Sequence, residues 1–261
     1  MGSNKIQGEL WGENAEDWAL IQEATGYSGY EHVLKFLKTS STDKLLEVGC
    51  GSGLFSNLAF LKGMHVTGID ASPLLINQAK KRNAAVNFLI GEMEELPFAD
   101  KTFDVVCAFN SIQYAECSKN AILECKRVLK ERGKLIIMIW GNKEDCEVAS
   151  FLKVVGSLLP PQPKGAGGPF ALSENELLET TIKDCGLKII NNTDVSSIWD
   201  YPNADTALKG LLSAGTATKA IQYSGFATVY KESSNAIKPH IQKNGRVIYK
   251  NKFRVVISEK L

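Results

Sequence analysis

Three glycines, Gly49, Gly51 and Gly53, alternate in a short stretch that follows the apolar run Leu45-Leu46-Glu47-Val48 and precedes Leu54. A turn this bare of side chains lets backbone N–H groups approach a ligand closely. A second run, Val66-Thr67-Gly68-Ile69, ends in the carboxylate of Asp70, with Ala71 behind it. That acid stands about 20 residues past the glycines, the spacing at which a carboxylate reaches a ribose. The pair points to a cofactor containing a nucleoside. Dinucleotide sites need a small third residue in their glycine motif so that helix and strand pack closely beside a pyrophosphate. Leu54 occupies that position here, which argues against a nicotinamide-dependent dehydrogenase.

The acid-x-Gly-x-Gly-x-Gly form of Glu47, Gly49, Cys50, Gly51 and Gly53 resembles the first motif of the class I S-adenosylmethionine-dependent methyltransferases. Gly91-Glu92-Met93, after the strand-like Val86 to Ile90, resembles the same family's adenine-contacting segment. The resemblance implies that Glu92 accepts from the adenine amino group and that the Met93 backbone N–H meets a ring nitrogen. Glu92 stands where Asp is usual, lengthening the reach by one methylene. The segment Phe109-Asn110-Ser111-Ile112-Gln113-Tyr114-Ala115, with Ala15-Glu16-Asp17-Trp18-Ala19 near the start, places the chain closest to the small-molecule, type 11 (UbiE-like) branch. By that resemblance Leu46 to Gly53, Asp70 and Ala71 hold the methionine and ribose ends, Asn110 lines the methionine portion, and Trp18 belongs to a lid over S-adenosyl-L-methionine.

Those residues need a parallel sheet whose strand ends converge. From Lys44 to Trp140 the pattern alternates strand, helix, strand, helix, strand, strand, helix, strand, which implies right-handed crossovers. Ser72-Pro73 opens the helix after the second strand with a cap and a first-turn proline. Ala15 to Lys38 carries helical periodicity, with Gly26-Tyr27-Ser28-Gly29 expected to break it into two helices. Glu144 to Leu159 reads as one helix, Pro160 to Pro169 as a loop near the site's mouth, and Ser173-Glu174-Asn175-Glu176 as a capping box leading a helix to Cys185 and Gly186. Leu187 to Ile198 reads as a strand. Arg246 to Tyr249 and Phe253 to Ser258 are further strand material, the latter antiparallel by resemblance. The expected fold is α/β: a seven-stranded Rossmann-like sheet, mostly parallel with an antiparallel last strand. It is read as one domain, with a helical lid over 1–42, a cofactor core over 43–141, and a C-terminal half over 142–261 carrying a helical insertion at about 203–243.

The chain has 261 residues and a formal net charge of +1. With basic residues dispersed, no footprint for a nucleic-acid backbone is visible. No apolar run approaches the ~18 residues of a membrane span, so a cytoplasmic protein, monomer or homodimer, is expected. Six cysteines without Cys-x-x-Cys spacing or neighbouring histidines make a zinc site improbable. Methyl transfer from a sulfonium is an in-line displacement in which placement supplies most of the acceleration. No catalytic residue is assigned: His32 reads as a position within an N-terminal helix, His65 as part of a surface turn before the second strand, His240 as a residue of the insertion, and Gln113 and Tyr114 as wall. The first 38 residues and the stretch Asp205 to Gln242 are expected to build an apolar acceptor pocket, using Trp18, Ile21, Tyr27, Leu208, Leu211, Leu212, Tyr223 and Phe226. The expected activity is methylation of an oxygen, nitrogen or carbon nucleophile on an apolar or aromatic small molecule. The alternative is a silent subunit that binds the cofactor, or S-adenosylhomocysteine, without turnover.

Overall fold

Residues 4–37, 43–161 and 169–261 are described by the computed structural model. The chain opens with α1 (Asn4–Gly12) and α2 (Ala15–Asp17), and a π-turn (Trp18–Gln22) and a 3-10 turn (Glu23–Gly26) then lead into α3 (Tyr27–Phe36). The core follows as β1 (Lys44–Val48), α4 (Leu54–Leu61), β2 (His65–Asp70), α5 (Pro73–Arg82), β3 (Asn87–Ile90), β4 (Phe103–Phe109), α6 (Ser118–Val128) and β5 (Leu129–Trp140). Beyond it lie α7 (Ala149–Ser157), α8 (Leu177–Asp184), β6 (Leu187–Tyr201), α9 (Ala204–Leu212), α10 (Gly215–Ser224), α11 (Phe226–Ile237) and β7 (Val247–Lys260).

The strands form one seven-stranded sheet in the order β3-β2-β1-β4-β5-β7-β6. The first five are parallel, and β7 runs antiparallel to both β5 and β6, as the sequence suggested. Order reverses between β1 and β4, so the crevice at their carboxyl ends is where such a sheet receives ligands. Burial on both faces explains the unbroken apolar run Leu135 to Ile139 in β5. Ser72 caps α5 as expected, accepting from the Leu75 N–H at 3.3 Å, with Pro73 in the first turn. No helix among the described residues is long and apolar enough to cross a membrane.

Several local expectations are corrected. Gly26 to Gly29 divides the lid without a loop: a 3-10 turn ends at Gly26 and α3 starts at Tyr27 on continuous helical backbone, while Gly29 has no room for a side chain against Met138 and so serves close packing on β5. The helix expected from Glu144 begins only at Ala149, because Glu147 is drawn to β7: its N–H donates to Lys250 O at 3.0 Å and its Oε2 accepts from Lys250 N at 2.7 Å. The capping box does not form. Ser173 is buried and donates instead to Trp140 O, while Asn175 and Glu176 take positive φ before α8 begins at Leu177. The two strand pieces near the C-terminus are one strand, β7, and β6 runs on past Ile198 to Tyr201 because every residue there finds a partner on β7. His65 lies in β2 rather than in a turn. The end of the lid at Lys38 and most of the Pro160 to Pro169 loop fall outside the described residues.

The lid is fastened to the core through a buried carboxyl. Glu23, 5 % exposed, accepts from the Ser52 hydroxyl and forms an ion pair with Arg82, the last residue of α5. Arg82 also donates to the carbonyls of Ser52 and, at 3.0 Å, of Ala19. Burial pushes the Glu23 carboxyl up, against the opposing pull of the Arg82 guanidinium. Removing one partner of a buried pair strands the other, at a cost of about 3–5 kcal/mol. Arg82→Met should therefore lower the unfolding free energy by about that amount, and adding Glu23→Gln should restore most of the loss. Urea denaturation of the single and double variants checks this, and a double variant as weak as Arg82→Met would show that the charge is not what is stranded.

Glu47, at the end of β1, is buried with its Oε2 accepting from the Ser56 hydroxyl at 2.6 Å. Burial holds this carboxyl well above its ordinary value of 4.5, the Ser56 hydrogen bond acting the other way. A group raised in the folded state retains protons that the unfolded chain releases. Its contribution is full below the unfolded pKa and is lost as pH rises through the folded one. Glu47→Gln, which can still accept from Ser56, should thus gain stability relative to the parent as pH climbs from about 4.5 towards neutrality. Denaturation midpoints across that window would show the difference growing; a constant difference would contradict it.

Candidate active site

The glycine turn takes its shape from backbone that only glycine adopts readily: φ is +72° at Gly49 and +53° at Gly51. Gly49 also has no room for a side chain, since a Cβ there would lie 2.3 Å from Ser111 Cβ. Ser111 in turn donates to Val48 O at 2.7 Å, joining the exits of β1 and β4. Asp70 fixes the turn from the neighbouring strand. Its Oδ2 accepts from Gly51 N at 2.9 Å and its Oδ1 from Ser72 N at 2.8 Å. Burial pushes this carboxyl up, and those backbone hydrogen bonds oppose the shift.

A cavity of about 1410 Å³, its open mouth included, runs along the strand ends. One end is lined by Gly91, Glu92 and Met93, the middle by Asp70, Ala71, Gly49 and Gly51, and the far side by Asn110 and Ser111. Glu92 is anchored there by two backbone donors, Asn4 N at 2.9 Å and Glu94 N at 3.1 Å. Trp18 covers the turn: its Nε1 is 3.5 Å from where a Cβ on Gly51 would sit. Of the residues singled out from sequence, Trp18, Gly49, Gly51, Asp70, Ala71, Glu92, Met93 and Asn110 share this one cavity. Glu47, Cys50 and Gly53 do not line it. Glu47 and Cys50 are buried behind the wall, and Gly53 starts α4 with Phe88 and Ala79 packed against it.

On the β5, β6 and β7 side of the glycine turn the lining of the cavity is largely apolar. Its walls include the expected Trp18 and Leu211, but Ile21, Tyr27, Leu208, Leu212, Tyr223 and Phe226 do not line it. Tyr27, Tyr223 and Phe226 are exposed, while Leu208, Leu212 and Phe226 face a separate groove between the insertion and α2. The missing surface comes instead from α7, with Phe151, Leu152 and Val155, and from the sheet itself, with Trp140, Trp199 and Phe253. Those residues were not singled out from the sequence, because their apolar character could be read but not the void beside them. Sequence reasoning also missed α1, whose Gln7 and Trp11 close the cavity from above, Trp11 packing edge-on to both Trp18 and Tyr114. The tryptophan itself was the available signal.

The chemistry of the walls is distinctive. The charged residues among the described lining are Glu23, Asp70 and Glu92, with no lysine, arginine or histidine. Carboxylates suit ribose hydroxyls, an amino group and a sulfonium, whereas a pyrophosphate would meet them without a compensating cation. These acceptors suit S-adenosylmethionine, and the described lining offers no cation to a dinucleotide's pyrophosphate. Tyr114 is half-buried with Trp11 edge-on to it, and desolvation pushes its phenol up to about 12, so it is protonated near neutrality. His240 is not in the wall; it stacks on Tyr249 with ring centroids 4.0 Å apart. Among the described residues no group of acids, cysteines and histidines is arranged to hold a metal ion.

Comparison with known proteins agrees with this geometry. Residues 46–137 match a family model described as a methyltransferase domain. The chain is 29 % identical to a demethylmenaquinone methyltransferase of Thermotoga maritima over 110 residues, 41 % of this chain and 48 % of that protein. It is 29 % identical to a malonyl-[acyl-carrier protein] O-methyltransferase of Erwinia pyrifoliae over 150 residues, 55 % of this chain and 57 % of that one. The chain thus spans about half the length of the curated relatives it matches. In fold it resembles the YcgJ protein of Bacillus subtilis, with a TM-score of 0.60 at 19 % identity over 90 % of this chain and 98 % of that one. It also resembles a geranyl diphosphate C-methyltransferase of Streptomyces coelicolor, with a TM-score of 0.54 at 14 % identity over 90 % and 79 % of the two chains. Residues 46–137 thus match the methyltransferase domain in sequence, and the fold around them is shared with solved methyltransferases.

Proposed function

We propose that the protein, acting as a single domain in the cytoplasm, transfers a methyl group from S-adenosylmethionine to an oxygen, nitrogen or carbon nucleophile on a small molecule with an apolar body. The observation that carries this reading is the single cavity that passes from the Asp70 and Glu92 carboxylates, past the glycine turn, into a chamber walled by aromatic rings. When bound, the cofactor supplies an electrophilic methyl on a sulfonium, whose thioether leaves without needing a proton. Asp70 accepts from the ribose hydroxyls with the lone pairs left free by Gly51 and Ser72. Glu92 and the Met93 N–H read the adenine edge, and Asn110 with the Gly49 to Gly53 turn holds the methionine end. Trp18, with Trp11 and Tyr114, excludes water and offers ring faces to the positive charge. A phenol kept protonated at Tyr114 is no base near neutrality, so placement of an acceptor already able to attack carries the rate.

Calorimetry with S-adenosylhomocysteine and with NAD tests the cofactor assignment; binding of NAD alone would refute it. Asp70→Ala should weaken S-adenosylhomocysteine binding by about 1.5–3 kcal/mol, the range for a hydrogen bond to a charged group. Unchanged affinity would remove the ribose role. Release of S-adenosylhomocysteine from labelled cofactor in the presence of a metabolite extract tests turnover. Tight cofactor binding without release from any extract would instead favour a silent binding subunit.

A further inference from the structure

A second hollow lies between the lid and the inserted helices, apart from the reaction cavity. It encloses about 1120 Å³, its open mouth included, with α2 on one side and α9, α10 and α11 on the other. Its apolar lining comes from Leu208, Leu212 and Ile221, beside the rings of Phe226 and Tyr230, whose centroids are 5.5 Å apart. Those two rings are 59 % and 40 % exposed. Ligand sites are concave, mostly apolar surfaces with a few polar groups, and ring faces attract a cation. The charge around the hollow points the same way. Its charged lining residues are Glu13, Asp17, Asp205 and Lys209, and Lys209 is already committed, its Nζ lying 2.9 Å from Asp17 Oδ1. That pair, with the Asn14 amide donating to Thr218 Oγ1 at 3.4 Å, braces the lid against the insertion and leaves Glu13 and Asp205 without an ion pair among the described residues. Asp205 stands in the first turn of α9, where a negative charge suits the helix dipole. Glu13 has no such reason: it follows the last residue of α1, the end at which the dipole favours cations, and Glu9 lies four residues before it.

We infer that this hollow is a second ligand site, for a small organic cation: an ammonium on an apolar, ring-sized body, with the body on Leu208, Leu212 and Ile221 against Phe226 and Tyr230, and the ammonium between Glu13 and Asp205. Walled by four helices, it takes a small molecule rather than a protein surface. An anion would meet two unpaired carboxylates and is rejected. The inference is independent of the methyl-transfer reading, since none of these seven residues lines the reaction cavity. The two hollows nevertheless share walls. Asp17 and Trp18, Leu212 and Leu211, and Thr218 and Ala217 are neighbours in the chain, and in each pair the first lines this site and the second the reaction cavity. An occupant held by Glu13 of the lid and Asp205 of the insertion therefore ties together two elements that close over the reaction cavity.

Probes matched in shape and differing in charge test this: naphthylmethylammonium, naphthylmethanol and naphthylacetate. Each is titrated calorimetrically with and without saturating S-adenosylhomocysteine, which sets apart any binding at the cofactor end of the reaction cavity. The ammonium should bind about fivefold more tightly than the alcohol, and the acetate more weakly than either. Added salt should narrow the ammonium's advantage, because exposed charges are screened. In the double variant Glu13→Gln/Asp205→Asn that advantage should fall to within about twofold, and Phe226→Ala should weaken the ammonium about threefold. All three side chains are exposed, so thermal midpoints stay near the parent's. Equal affinity for ammonium and alcohol in the parent, an ammonium preference that survives in the double variant, unchanged affinity in Phe226→Ala, displacement of the ammonium by S-adenosylhomocysteine, the acetate as the tightest probe, or no probe binding at all would each overturn the inference. Should the double variant fail to fold, the parent's discrimination by charge and the Phe226→Ala titration still decide. Failure to bind S-adenosylhomocysteine would instead overturn the cofactor assignment, and the titrations without it would still report on this site.

Discussion

Everything at the carboxyl edge of this sheet depends on the Asp70 carboxylate accepting from two backbone N–H groups at once. One oxygen holds Gly51 in the turn after β1, and the other holds Ser72 in the turn after β2. Two parallel strand exits are thereby fixed relative to each other without any side chain intruding on the space above them. A carboxylate is suited to this because it accepts in several directions and bonds of this kind are stronger than neutral ones. The cost is its desolvation, visible in the upward push on Asp70. Lone pairs remain for a ligand, so the group that shapes the turn also faces the cavity.

The lid extends the same economy across the fold. Glu23 could not be tolerated in a helical segment this deeply buried unless Arg82 and Ser52 met it, and Arg82 reaches it only because α5 ends beside the glycine turn. The π-turn from Trp18 to Gln22 supports this arrangement. Such turns widen the helix locally and often mark functional sites. Here the change of helical pitch allows Trp18 to line the cavity, Gln22 to meet Tyr201 and Glu23 to enter the core within six residues.

The succession of strands and helices through the core, and the meeting of Asp70 with the glycine turn in one cavity, were legible because each has a local cause, while the antiparallel last strand came from the family resemblance. Alternating glycines force a turn, an acid at a strand end has one direction to point, and buried parallel strands read as apolar runs. The apolar part of the cavity was not legible, because a void is a property of packing between distant elements. Phe151, Trp199 and Phe253 have the same composition whether they fill a core or wall a cavity. The failed capping box at Ser173 has a similar origin: a hydroxyl expected to serve its own helix is claimed by the Trp140 carbonyl, more than thirty residues earlier in the chain. Tertiary demand outranked local propensity there, as it did where Glu147 left its helix for β7.

The three helices α9, α10 and α11 leave the sheet after Tyr201 and return to it at Val247, and those two residues are partners in the β6–β7 ladder. The chain therefore departs and re-enters at adjacent points. A segment hung between paired residues can change length or sequence while its endpoints stay put, because the cost of closing a longer loop grows only slowly. Leu211, Ala214, Thr216 and Ala217 of this segment reach the chamber, whereas the glycine turn and Asp70 lie on the opposite half of the sheet. The architecture thus separates two inheritances. One half is tied together by the backbone contacts of Asp70, and the other carries a wall of inserted helices whose length and sequence can change without moving the paired strand ends.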